Sequence, residues 1–399
     1  MELTSLENEM LEGKYGRATR KAMEILVALG TIYDAEKMVP VSSVQIAGVS
    51  YDNLGEAGLK FLAEMADGGG KSRVLTTLNP AGMDVENWQA LGINADFARD
   101  QIRVIETFKR MGVITTCTCT PYLVGNLPHF GEHISWAESS AVCYANSVLG
   151  ARTNREGGPS ALAASLTGRT PLYGFHLSEN RKPSIRFRID AHLSENHEFG
   201  VLGILIGKKL EAIDPKPIPY IQSGGLASME NLKSFCASLA TYGGAALFHW
   251  EGITPESYHL SPPCDQILIS QKDLEQAILA LNDDASIEPD FISLGCPHLT
   301  IQEISRIAER LQGKMVKKTF WITTARPTKQ IADRMGYTQT IEDAGAIIAA
   351  DTCCVVAPIK GRFKVLVTDS AKACYYGYAK NASKTRLLSF DQVIDEALK

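Results

Sequence analysis

The sequence predicts an α/β protein with several layers and parallel sheets, whose strand carboxyl ends converge on one site. Three observations predict it. Strand and helix patterns alternate through the last third of the chain. Three distant segments carry an apolar, β-branched run into a cysteine. These are Val113-Ile114-Thr115-Thr116 before Cys117-Thr118-Cys119, Phe291-Ile292-Ser293-Leu294 before Gly295-Cys296, and Ile347-Ile348-Ala349-Ala350 before Asp351-Thr352-Cys353-Cys354. Finally, 399 residues that are 45% hydrophobic and 21% charged suffice for two or three packed units around a large core. In open α/β sheets ligands collect beyond the carboxyl ends of strands, so three thiols delivered there are placed to share a metal cluster.

Charge and composition narrow the function. A formal net charge of -5 argues against nucleic acid or an anionic membrane as the main partner. No apolar run approaches bilayer length, and Met1-Glu2-Leu3-Thr4-Ser5 lacks the basic-then-apolar order of a signal peptide. A cytoplasmic protein is expected. Its nine cysteines then read as reduced thiols, and Cys143, Cys236 and Cys374 as small buried hydrophobes.

Taken in order, the first thirty residues predict one helix, with Thr4 or Ser5 as N-cap and Gly30 at its end. The strand Ser43–Ala47 meets Gly48-Val49-Ser50-Tyr51, a turn whose glycine permits close backbone approach and whose amides suit an anion. A helix over about 55–66 follows and ends in Gly68-Gly69-Gly70-Lys71-Ser72. A phosphate loop would need glycine where Met65 stands, so these glycines read as a flexible C-cap. The strand Arg73–Leu78 leads to Asn79-Pro80-Ala81-Gly82, making Asn79 a candidate for substrate contact. An amphipathic helix over about 96–111 feeds the first cysteine segment.

Past the loop Pro128–His133, a helix is expected from near Trp136-Ala137-Glu138, with Ser139 and Ser140 on a small, polar face. Glu138 and Ser139 are well placed for a substrate hydroxyl or carboxylate. The polar loop Gly150–Pro159 either faces solvent or lines a site. Residues 184–285 read as an inserted α/β layer, with strands at Leu202–Ile206 and Ala245–His249. It separates an N-terminal region, 1–183, from a C-terminal region, 286–399. In the latter, strands at 290–294, 319–323, 347–350 and 363–367 alternate with helices at 300–310 and 328–335 and predict a parallel sheet. Three of its strand ends carry reactive groups: Cys296, Cys353 and the Ser370/Lys372 pair.

The thiols do not match structural zinc, which takes four ligands at short paired spacings. Thiolates from distant loops suit an iron–sulfur cluster, and three ligands on four irons leave one iron open as a Lewis acid. Alternation along an extended chain puts Cys117 and Cys119 on the same face, so spacing leaves the choice between them open.

Together, Gly48-Val49-Ser50-Tyr51, Thr77–Gly82, Cys119-Thr120-Pro121-Tyr122, Gly131-Glu132-His133, Glu138-Ser139-Ser140, 146–158, Gly295-Cys296-Pro297-His298, Asp351-Thr352-Cys353 and Asp369-Ser370-Ala371-Lys372 resemble the aconitase-X family over almost the whole chain. The resemblance implies an aconitase-like fold and a 4Fe-4S cluster held by Cys119, Cys296 and Cys353. It implies substrate contacts at Gly48, Val49, Ser50, Asn79, Pro80, Glu138, Ser139 and Lys372, with Glu138, Ser139 and Lys372 catalytic. Compared with complete aconitases, the resemblance leads one to expect no separate mobile domain after the cluster region. A small swivelling subunit supplying a catalytic serine is therefore the expected partner, and the chain alone should be inactive. The implied reaction is dehydration of a phosphorylated hydroxy acid, 5-phosphomevalonate, in an isoprenoid route. The alternatives are dehydration of cis-3-hydroxyproline and a cluster-bearing RNA-binding regulator.

Overall fold

A computed structural model of the protein describes every residue except Asp214, Asp284 and Ala285. In the N-terminal sheet Ser43–Ile46 lies between Leu75–Leu78 and Ser135–Trp136, all parallel. Ile46 pairs with Leu78 and Gln45 with Trp136, so the three strands finish nearly level. Their exits are the turns at Gly48–Ser50, Asn79–Gly82 and Ala137–Glu138. Apolar faces of the helices Arg17–Ile32, Tyr51–Asp67, Ala95–Arg110 and Gly158–Thr167 bury Val44, Ile46, Leu78, Leu62, Phe108 and Leu166 in one core.

The C-terminal sheet is also parallel, in the order Ile347–Ala350, Thr319–Thr324, Phe291–Leu299, Val365–Thr368, Lys384–Leu387. Thr300 caps the helix Ile301–Leu311 with a capping box to Glu303, as its sequence predicts. The helix Tyr337–Asp343 was not anticipated. The two sheets turn their strand exits toward each other. The Ala81 N–H donates to Asp351 O at 2.7 Å, and the Ser50 hydroxyl donates to Val356 O at 3.2 Å.

Several expected elements differ. The first thirty residues form two helices, Ser5–Leu11 and Arg17–Ile32, because the intervening Gly13 and Gly16 take positive φ. Thr4 is the N-cap, and Gly30 lies inside the second helix. The first cysteine segment is no strand. Ile114 makes a single bridge to Thr77, and Cys117 sits at φ 43. Ser135–Trp136 is a short strand, so the helix expected from Trp136 begins at Ser139.

The largest difference is in the middle layer. Its four-stranded parallel sheet runs His249–Trp250, Pro219–Gln222, Ile185–Asp190, Gln266–Ser270. The expected strand Leu202–Ile206 lies within a helix, Asn196–Glu211, and only His249 of Ala245–His249 is in a strand. A helix apolar on every side gives the same continuous run as a buried strand. This one packs against the helix Met229–Gly243 through glycines. A Cβ on Gly203 would stand 2.8 Å from Phe235 O, and one on Gly207 would stand 2.8 Å from Gly243 N. Burial of Leu202, Ile206 and Leu210 along it contributes about 1.5–3 kcal/mol each.

Candidate active site

Between the facing strand exits lies a cavity of about 220 Å³. Ala47, Asn79, Glu138 and Ser139 line it from the N-terminal side, and Val355, Val356, Lys372 and Lys380 from the C-terminal side. Glu138 is the N-cap of the helix Ser139–Tyr144. Its Oε2 accepts the Ala141 N–H and the Ser140 hydroxyl, both at 2.6 Å. Its Oε1 accepts from Lys372 Nζ at 2.9 Å, a contact that closes 234 residues of chain. Both side chains are largely buried, at 6% and 11% exposure. Burial raises the Glu138 carboxyl, but Lys372 and the hydrogen bonds outweigh it and the net shift is downward. Burial lowers Lys372, and Glu138 followed by the neighbouring thiols outweighs it, so the ammonium is held charged.

Asn79 Oδ1 is buried without a hydrogen-bond partner among the described residues. The Ser139 hydroxyl, half-buried, makes no hydrogen bond among the described residues. An unpaired buried carbonyl oxygen costs about 1–3 kcal/mol and is satisfied by a donor entering the cavity. Of the other expected substrate residues, Gly48 is exposed at its turn with φ 80, a conformation that favours glycine. Val49, Ser50 and Pro80 are buried in the turns adjoining the cavity rather than among the residues that line it.

The structure brings Cys119, Cys296 and Cys353 together. The Cys296 thiol donates to the Cys353 sulfur, the main effect lowering Cys353 to about 7 against the opposition of burial. The Val355 and Val356 N–H groups and Lys372 act in the same direction. Burial is the main cause that pushes Cys119 up to about 12, with Glu138 and Cys353 adding to it and Lys372 and the His298 N–H opposing. Cys117 faces elsewhere. Its positive φ breaks the alternation that would have paired it with Cys119, and its side chain joins the N-terminal core. Cys354 is buried, its thiol pushed up to about 12 chiefly by that burial.

His298 organises the three cysteine segments, a role its sequence context did not signal. Its N–H donates to Cys119 Sγ at 3.3 Å, Nδ1 meets the Thr118 hydroxyl at 2.9 Å, and Nε2 meets Thr352 O at 2.9 Å. The ring is neutral, lowered to about 4 mainly by burial, so Nε2–H donates to the carbonyl and Nδ1 accepts from the hydroxyl. A second unanticipated network stands beside Cys353. Arg326 binds Asp351 and, at 2.6 Å, Asp84 Oδ1, while Asp84 Oδ2 accepts the Ala350 N–H at 2.8 Å. His133 pairs with His176 through their Nδ1 atoms at 2.9 Å, away from the thiols. Half of the polar loop 150–159 is buried with internal partners, and the loop also sends Arg155 to the cavity.

Among the described residues no three His, Cys, Asp or Glu side chains converge on a point that a single metal ion would occupy. The donor set is instead three soft sulfurs from distant segments of the chain, with backbone N–H groups and an ammonium directed at them. That is the chemistry of an iron–sulfur site. Fold and site together define the class, an α/β protein with a cationic cavity beside a set of buried thiols. The chain matches the first domain of aconitase X over residues 1–179, the second over 183–279 and the third over 289–399. It belongs to the aconitase X family.

Among its relatives is the phosphomevalonate dehydratase large subunit of Methanocaldococcus jannaschii, 47% identical over 94% of this chain and 95% of that protein. The crystal structure of Thermococcus kodakaraensis aconitase X, holo-form, is 43% identical, covers 100% of both chains and superposes with a TM-score of 0.92. The cis-3-hydroxy-L-proline dehydratase of Hypocrea jecorina is 32% identical, and this chain covers 68% of its length. No helix among the described residues is long and apolar enough to cross a membrane.

Proposed function

We propose that this chain is the large, catalytic subunit of a hydro-lyase that dehydrates (R)-5-phosphomevalonate to trans-anhydromevalonate 5-phosphate in a modified mevalonate route to isoprenoids. The observation that carries the proposal is the cavity of Asn79, Ser139 and Lys372 beside Cys353, which pairs with Cys296 and faces Cys119. The archaeal relatives named for this activity align over nearly their full length, which supports the substrate. Residues 1–183, 184–285 and 286–399 act as one catalytic unit.

Cys119, Cys296 and Cys353 would hold a 4Fe-4S cluster, with Cys353 the readiest thiolate. When bound, such a group supplies Lewis acidity at the departing hydroxyl. Lys372, held charged, binds the substrate carboxylate. The Asn79 Oδ1 accepts a hydrogen bond from a substrate hydroxyl, and Ser139 positions the same end of the molecule. Gly48–Ser50 and Pro80 shape the turns on the N-terminal side. Glu138 is committed to Lys372, Ser140 and Ala141, and its depressed pKa makes it a poor base. The proton beside the carboxylate is therefore taken by a group from a small swivelling subunit, which supplies a serine.

Anaerobic co-expression with that small subunit, followed by iron and sulfide counting and a dehydration assay, tests the proposal. Product from 5-phosphomevalonate with the complex, and none with this chain alone, is the expected outcome. A fully loaded complex that leaves 5-phosphomevalonate intact and dehydrates cis-3-hydroxyproline would replace the proposal with the second activity.

A further inference from the structure

Three cationic side chains, Arg155, Lys372 and Lys380, line the cavity against the single carboxylate of Glu138. Two of the cations are already committed. Lys372 is paired with Glu138 and reaches the Ser140 hydroxyl at 3.2 Å. Lys380 lies 3.3 Å from Asp52 and donates to the carbonyls of Val355, Val356 and Ala357 at 3.1, 3.3 and 3.4 Å. Arg155 is exposed and has no hydrogen bond or ion pair from its guanidinium among the described residues.

Its backbone, by contrast, is fixed. Arg155 bridges to Trp136, and the Glu156 N–H donates to Trp136 O at 3.0 Å. The preceding Asn154 is buried, donating to Tyr173 O at 3.1 Å and accepting from the Phe175 N–H at 2.9 Å. The neighbouring carboxylate of Glu156 is buried and turned to the Ser160 hydroxyl at 2.6 Å, so it does not neutralise the guanidinium. The loop thus holds an uncommitted, permanently charged fork where the cavity meets solvent, opposite in depth to the buried Lys372. A guanidinium fork matches two phosphate oxygens at once and is less heavily hydrated than an ammonium.

We propose that Arg155 is the phosphate-recognising residue of this cavity, selecting a phosphorylated hydroxy acid over its unphosphorylated counterpart. The inference rests on the reading of the chain as a dehydratase of such an acid. Lys372 takes the carboxylate in depth and Arg155 the phosphate at the mouth, and this two-ended hold orients the hydroxyl between them.

The test uses the complex assembled with the small subunit, as parent, Arg155→Ala and Arg155→Lys. Three quantities are read: iron and sulfide content, KM and kcat for 5-phosphomevalonate, and the Kd of inorganic phosphate by calorimetry at constant ionic strength. Arg155→Ala should raise both KM and the phosphate Kd about tenfold or more, lower kcat by less than about threefold, and keep its iron. Arg155→Lys should recover part of the loss. Values for Arg155→Ala within about twofold of the parent overturn the inference, as does a parent that binds no phosphate at roughly tens of millimolar. If the parent complex fails to dehydrate 5-phosphomevalonate, the functional reading falls. The phosphate titration still decides Arg155, because an affinity lost in Arg155→Ala supports the site and an unchanged one removes it.

Discussion

Cys117 and Cys119 lie two residues apart, yet one is part of the N-terminal core and the other accepts the His298 N–H and feels the charge of Cys353. Replacing Cys119, Cys296 or Cys353 with serine should abolish stoichiometric iron and sulfide in anaerobic preparations, whereas Cys117→Ser and Cys354→Ser should retain both. A Cys353→Ser protein with full iron and activity would sink the ligand assignment. The His298 backbone N–H donates directly to Cys119 Sγ, whereas its ring acts on the thiols only by holding the segments that carry them. His298→Ala removes the partner of the Thr118 hydroxyl and of Thr352 O, and should lower stability by roughly 3 kcal/mol in urea melts. The same variant should shift the visible spectrum of the loaded protein, a readout that loss of stability alone would not move.

At the scale of elements, the paired helices Asn196–Glu211 and Met229–Gly243 stand at a separation that only glycine allows. A Cβ on Gly203 would meet Phe235 O at 2.8 Å and Leu239 N at 2.9 Å, both backbone atoms that cannot step aside. Gly203→Ala should therefore cost about 2–3 kcal/mol, measured as a lower urea midpoint at unchanged m-value. The His133–His176 contact joins the Ser135–Trp136 strand to the segment after Arg169–Pro171. Burial, then His133 and two arginines, lowers His176 from 6.5 to about 3. As pH falls through 6.5 the unfolded chain takes up a proton that the folded one refuses. Stability is thus present above the unfolded value and is lost on acidification toward about 3. One proton corresponds to a slope of at most about 1.4 kcal/mol per pH unit. Asp351 and Asp369, raised to about 6 and about 7 chiefly by burial, act in the opposite sense. The difference between parent and His176→Gln isolates the histidine. The variant should show the flatter loss of stability between about pH 6.5 and 5, and an identical loss would refute the assignment.

Across the whole molecule, a few buried polar contacts bind the layers. Lys233 of the middle layer donates to Glu303 at 2.6 Å and to His298 O at 2.9 Å, just behind Cys296. Lys233→Met leaves the buried Glu303 carboxylate without its counter-charge and should cost about 3–5 kcal/mol. It should also separate the unfolding of the middle layer from that of the C-terminal sheet in calorimetry, where the parent is expected to show one transition. Much of the fold was legible in the sequence. Strands carrying Val44, Leu78, Ile322 and Ile348, and caps such as Thr4 and Thr300, follow from local periodicity and local hydrogen bonds. The middle layer was misread at Leu202–Ile206, because an all-apolar run carries no phase to distinguish a strand from a buried helix. The sequence by itself determined the parallel α/β class and the residue types at the strand exits. Only the tertiary structure decided which thiols lie near one another, that Lys372 is paired with Glu138 and that Arg155 is unpaired among the described residues. Those facts depend on contacts between residues as far as 234 apart, set by how whole sheets face each other and not by the residues beside them in sequence.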